Sequence, residues 1–199
     1  MLLHLGCIVE GHGDVAAVPV LLRRLQKELK PELHLDIPPP WRTGRYKLVK
    51  PRELERSVER LARQLREPRA ILILVDADDD CPKELAPQLL SRARSARSDI
   101  PIGLVLAKYE FEAWFLAAVE SLQGHCGLEE DISPPPDPEA VHDVKGFLGR
   151  HMKGSRSYSQ RIDQPALTAV FDMELARKRS NSFEKCYREV QRLLAEACG

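Results

Sequence analysis

The stretch Ile71–Asp80, ILILVDADDD, decides the fold. Five apolar residues, three of them β-branched, run directly into four acids within five positions. A run of this length and composition reads as a strand covered on both faces, as in a parallel sheet. Asp76, Asp78 and Asp80 then alternate where such a strand ends. In open α/β sheets, ligand sites lie just outside the carboxyl ends of strands. Carboxylates crowded at that edge repel one another unless a cation is present, and a hard divalent ion such as Mg²⁺ or Mn²⁺ is the usual answer. The alternative is an acidic turn or helix cap facing water, since Asp is common in both. For Asp79 alone the water-facing reading is preferred.

The same pattern recurs on either side of this stretch. Leu2–Val9 is mostly apolar and runs into Glu10-Gly11-His12-Gly13-Asp14, a strand followed by a glycine-bearing turn. Val15–Leu29 then has the apolar spacing of an amphipathic helix, with Asp14 standing where an N-cap would. The GHG turn lacks the spacing of either standard phosphate-binding loop. Leu33–Ile37 reads as a short strand ended by Pro38–Pro40. Glu53–Leu65 and Pro82–Arg97 read as charged helices, the second with an arginine-rich run that usually faces solvent. Pro101–Ala107 reads as another buried strand, leading into Lys108-Tyr109-Glu110-Phe111-Glu112 and a helix expected over Phe111–Leu122. Acids two apart on a helix point to nearly opposite sides, so Glu110 and Glu112 both serve one site only if Glu110 precedes the helix. Acids in a first helical turn also simply complement the helix dipole. The alternation up to Leu122 implies a mostly parallel α/β sheet flanked by helices.

Two basic segments complement the acids. Trp41–Arg52, WRTGRYKLVKPR, carries Arg42, Arg45, Lys47, Lys50 and Arg52, no acid, and two aromatic rings. Read as a flexible loop, it suits a phosphate backbone and unstacked bases; a solvated loop with its tryptophan packed on the core is the alternative. Lys153–Arg161 is also basic, and Lys153, Arg156 and Arg161 would add phosphate contacts if they lie near the acidic edge. The pattern lapses from Gln123 to Pro138, where SPPPDP reads as a rigid linker or lid. A short helix is expected over Ala140–His151, and two terminal helices over Ala166–Arg179 and Ser182–Ala197, the last capped by Ser180 or Ser182. The organisation expected is an α/β core over residues 1–122 and a helical extension over 123–199 packed on it.

Composition narrows the classes. The 199 residues suffice for one full core. With 30 basic and 30 acidic side chains, affinity for nucleic acid has to come from local patches. Cys7, Cys81, Cys126, Cys186 and Cys198 form no C-x-x-C pair, against a zinc ribbon or disulfide framework. His142 and His151 lack zinc-site spacing and read as surface residues. The start of the chain carries no basic stretch followed by a long apolar core, and no apolar run approaches membrane-spanning length. A soluble, cytoplasmic protein without membrane attachment is expected.

A strand ending in Glu10-Gly11 and a later one ending in Asp76-x-Asp78-x-Asp80 resemble a Toprim domain, the Rossmann-like module of a superfamily that includes type IA and type II topoisomerases, bacterial primases, recombination mediators and overcoming-lysogenisation-defect nucleases. V-E-G-x-G-D at Val9–Asp14 and E-F-E-A-W-F at Glu110–Phe115 further resemble the prokaryotic family of Toprim-like proteins called domain of unknown function 4276. Its C-terminal K…Y…R/K…SxSF pattern appears as Lys153, Tyr158, Arg161 and Ser180–Phe183. The resemblance implies Asp76 and Asp78 as Mg²⁺ or Mn²⁺ ligands, with Asp80 completing the shell. It implies Glu10 as general acid/base or ligand, and Asp14 and Glu112 as candidates for a second ion. The activity implied is a metal-dependent nuclease or related phosphoryl-transfer enzyme. The alternative is a non-catalytic scaffold binding nucleic acid or a partner ATPase, as recombination mediators do; the resemblance to larger Toprim enzymes, with their ATPase, zinc-binding or gate regions, implies a partner protein for a domain of this size. A small-molecule phosphotransferase is a third, weaker option. Tyr158 has no motif support as a topoisomerase-type nucleophile.

Overall fold

A computed structural model of the chain describes residues 1–197; Cys198 lies outside them. Strand β1 (Leu2–Val9) and helix α1 (Asp14–Leu29) open the chain. Strands β2 (His34–Asp36) and β3 (Trp41–Arg42) and helices α2 (Arg45–Leu48) and α3 (Glu53–Ala62) follow. Strand β4 (Arg69–Asp76), helix α4 (Pro82–Ala96) and strand β5 (Ile102–Ala107) complete the sheet. All strand pairs are parallel, in the order β2-β1-β4-β5, with β3 paired to the end of β1 beyond β2. The α/β fold expected from the sequence is the one adopted, with a parallel sheet between helical layers.

The unbroken apolar run of β4 is explained by its two covered faces. Ala70, Leu72 and Leu74 face a core shared with α1, while Ile71, Ile73 and Val75 face one shared with α3 and α4. The first core also takes in helices α5 (Ala113–Ala117), α6 (Val144–Arg150), α7 (Asp163–Val170), α8 (Met173–Arg179) and α9 (Asn181–Glu196). The C-terminal helices therefore build one face of the sheet. Phe183 packs edge-on against Trp114 and Phe171, at 5.1 and 5.4 Å between ring centroids. The Trp114 indole N–H donates to Ser182 Oγ at 2.8 Å.

Several expected helices begin or break elsewhere, and local acids and hydroxyls are the reason. The Phe111 N–H donates to Asp76 Oδ1 at 2.8 Å, so the helix starts only at Ala113, and a 3₁₀ turn at Val119–Leu122 replaces its second half. Asp143 accepts from Gly146 N–H and starts α6 there. Asp172 accepts from Leu175 N–H and divides the helix expected over Ala166–Arg179 into α7 and α8. Ser180 caps α9, accepting from Phe183 N–H at 3.0 Å. The segment expected as a flexible loop, Trp41–Arg52, contains β3 and α2. No helix among the described residues is long and apolar enough to cross a membrane.

Phe183 is fully buried, and truncation of a buried aromatic ring typically costs about 3–5 kcal/mol. Phe183→Ala is expected to lower stability by about that amount in urea unfolding, and a loss under about 1 kcal/mol would contradict this packing.

Candidate functional site

The pairing of β1 with β4, in register from His4↔Arg69 to Val9↔Leu74, delivers Glu10 and Asp76 to one edge of the sheet. Strand β5, paired to β4 as far as Asp76↔Ala107, brings Glu110 and Glu112 beside them. Both acids precede α5, the condition under which both can serve one site. Asp14 joins them as the first residue of α1. Its role as a simple N-cap is not what the structure contains: it is buried, accepting from Gly11 N–H and from the Gln164 side-chain amide, each at 2.7 Å. Gly13 makes this possible. A Cβ there would overlap the Gln164 side-chain oxygen and stand 2.6 Å from the Gln160 carbonyl.

The remaining acids are tied in from several directions. Glu10 Oε1 accepts from Arg45 N–H at 3.2 Å. Glu112, fully buried, accepts from the Tyr158 hydroxyl at 3.1 Å, and Lys145 Nζ lies 3.7 Å from its other oxygen. Lys145 also donates to Glu110 at 2.7 Å. The backbone is strained where β4 and β5 end. Asp78 and Tyr109 both have positive φ, 46° and 57°, and the Asp78 N–H donates to the Tyr109 carbonyl at 3.1 Å. Each such residue costs on the order of 1–3 kcal/mol, and Tyr tolerates the conformation poorly.

Charge accumulates at this edge faster than the protein neutralises it. Burial pushes the Asp76 carboxyl well above its usual range, and the charges of Asp14 and Glu112 push it further, against the pull of Lys145. Burial also raises Glu10; the Arg45 N–H opposes this, and Asp78 and Asp14 add to it. Glu112 is pushed up to about 7 by burial, with Lys145 opposing and Glu110 and Asp14 adding. For Lys145 burial disfavours the charge, yet Glu112 and Glu110 outweigh it and hold the ammonium above its ordinary range. Burial, then Glu112, raises Tyr158, whose O–H is a donor rather than a nucleophile at neutral pH. One oxygen each of Glu10, Glu110 and Glu112 is buried without a hydrogen-bond partner. Such orphans are rare and call for an explanation, an ion among them.

The other expected residues separate into those at the edge and those away from it. Asp78 and Asp80 are exposed, and both are ion-paired to Arg45, which lies 3.1 Å from Asp78 Oδ2. Arg45, read from the sequence as a phosphate contact, is thus a counter-ion of the acids themselves. Lys153 pairs with Glu130 on the surface at 2.8 Å. Arg156 pairs with the buried Asp163 and donates to the Cys126 carbonyl. Arg161 is exposed, as are Arg42 and Lys47. His142 is exposed against the Tyr109 ring, while His151 is half-buried rather than a surface residue. Lys145 and Gln164 were not singled out from the sequence. The one available signal was Lys145 as the single cation between Ala140 and Gly149.

The donors suit a hard divalent cation: carboxylates from adjacent strand ends, some with vacant lone pairs. Among the described residues, no three His, Cys, Asp or Glu side chains form a ready ligand group as they stand. An entering ion would have to draw carboxylates together and take over from Arg45 at Asp78 and Asp80.

Residues 9–191 match the model of the family described as Domain of unknown function (DUF4276), and the chain belongs to that family. No curated protein and no solved structure matches the chain.

A carboxyl whose folded pKa is raised binds more protons in the folded state, so its stabilisation is present below its ordinary value and lost as pH rises through the folded one. For Glu112 that window runs from 4.5 to about 7. In metal-free buffer, the stability of the wild type relative to Glu112→Gln is expected to fall by roughly 1.4 kcal/mol for each pH unit climbed within this window. Urea midpoints at both ends of the window measure it, and parallel curves would contradict the raised value.

Proposed function

We propose that the carboxyl edge of the sheet is a Toprim-like acidic site that binds Mg²⁺ or Mn²⁺ and serves phosphoryl transfer on nucleic acid, with phosphodiester hydrolysis as the reaction. The carrying observation is the convergence of Glu10, Asp14, Asp76 and Glu112 at neighbouring strand ends, with one buried oxygen each of Glu10 and Glu112 left without a hydrogen bond. Asp76 and Asp78 would hold the ion, Asp80 would complete its shell, and Asp14 and Glu112 are the donors for a second. A bound ion supplies neutralisation of charge on the transferring phosphoryl group. Glu10 borders the same ion and carries the proton chemistry: burial raises its carboxyl, so that it holds a proton more tightly for a leaving 3′ oxygen. Lys145 remains charged and attracts the phosphate to the edge. This chemistry belongs in the cytoplasm, where nucleic acid is at hand.

A second reading is supported by the chain's own cations. Arg45 bridges Asp78 and Asp80, and Lys145 sits between Glu110 and Glu112. Acids neutralised in this way suit a non-catalytic scaffold that binds nucleic acid or a partner ATPase.

Incubation with single- and double-stranded DNA and RNA in Mn²⁺ separates the two. Hydrolysis by the wild type, reduced at least about 100-fold in Asp76→Ala and in Glu10→Ala, is expected of the enzyme. No cleavage with any divalent metal, or undiminished cleavage by both variants, refutes it.

A further inference from the structure

Beside the acidic edge lies a cavity of about 370 Å³ that the carboxylates do not enter. Its walls come from the segment around β3 and α2 and from α3, and include Trp41, Arg42, Tyr46, Lys47, Arg56 and Arg60. The size falls in the range of small-molecule sites. Tyr46 is 62% exposed, unusual for an aromatic ring with a core at hand. The Arg60 guanidinium lies 4.1 Å from the centre of the Trp41 ring, which presents a flat cationic surface. Four of these residues are cationic and exposed: Arg42, Lys47, Arg56 and Arg60. Glu53, also in the lining, pairs with Arg56 at 3.0 Å. The exposed Arg56 and Arg60, one turn apart on α3, form a second wall that the basic Trp41–Arg52 segment does not contain.

We infer that this cavity is a subsite for single-stranded nucleic acid, with one base stacked on Tyr46 or on the Trp41–Arg60 pair and adjoining phosphates held by Arg42, Lys47 and Arg56. Bases of single strands stack on aromatic rings and guanidinium planes, and cations alongside track the backbone. A paired duplex hides its base faces, so rings in a cavity of this size select unpaired strands. The chain itself joins the cavity to the acids. Gly44 lines the cavity, and the next residue, Arg45, donates its N–H to Glu10 and its guanidinium to Asp78. A strand seated here has its next phosphate at the carboxyl edge. The inference rests on the reading of that edge as a phosphodiester site and names the form of substrate delivered to it.

Fluorescence anisotropy with a labelled single-stranded DNA oligonucleotide, in EDTA so that nothing is cleaved, tests it apart from catalysis. Tyr46→Ala is expected to weaken binding about ten-fold, the loss of one stacked base. Arg56→Ala is expected to weaken it and to lower the slope of log affinity against log salt by about 0.7, one phosphate contact on a single strand. Arg188→Ala removes an equal charge from α9, on the opposite face of the sheet, and should bind as wild type. Unchanged binding in both Tyr46→Ala and Arg56→Ala overturns the subsite even if cleavage is observed. So does equal wild-type affinity for the matching duplex, or no binding at all.

Discussion

Mutual repulsion among carboxylates at the ends of three adjacent parallel strands is the constraint on which the rest of the molecule depends. Parallel pairing puts the carboxyl ends of β1, β4 and β5 side by side, and each of them runs on into acids. Burial removes the water that would screen them, so Asp76, Glu10 and Glu112 all hold their protons more tightly than free carboxyls. A sheet built only for stability has no use for such an arrangement. The two left-handed residues, Asp78 and Tyr109, add strain at the same point.

The surroundings of the edge are arranged to tolerate this charge without abolishing it. Gly11 N–H and Gln164 satisfy Asp14, Phe111 N–H satisfies one oxygen of Asp76, and Tyr158 one of Glu112. Lys145 and Arg45 provide positive charge from opposite sides in sequence, one from the C-terminal half and one from the segment after β3. The C-terminal helices are therefore as much a part of the site as the sheet. Phe183 and Ser182 lock α9 onto Trp114, two residues beyond Glu112, while α7 carries Gln164 to Asp14.

Much of this could be read in the sequence because it is encoded locally. Apolar runs such as ILILV mark buried strands, and the acids after them mark the edge, so Glu10 and Asp76 are recognisable from local pattern, whereas the same pattern leaves Glu112 open to a plain helix-dipole role and only its place before α5 brings it to the edge. Helix boundaries were less legible: the Phe111 N–H is bonded to Asp76, 35 residues earlier in the chain, and Asp172 interrupts an apparently continuous helical pattern by capping the next one. The partners of the acids were not legible at all. Arg45 looks like one more cation in a basic loop, and its pairing with Asp78 and Asp80 depends on β3 docking against the end of β1. Lys145 and Gln164 reach the edge through tertiary packing, for which spacing carries no signal, and Tyr158, although it stands in the family-like C-terminal pattern, is joined to Glu112 only by that packing.

Direct titration of Mn²⁺ into the protein, followed calorimetrically, tests the central claim: that the acids of the three strand ends form one shared cation site. Convergence predicts saturable binding by the wild type that is weakened at least about ten-fold by Glu10→Gln and, separately, by Asp76→Asn, although these residues are 66 positions apart. Failure to bind Mn²⁺, or binding that either substitution leaves unchanged, would contradict it.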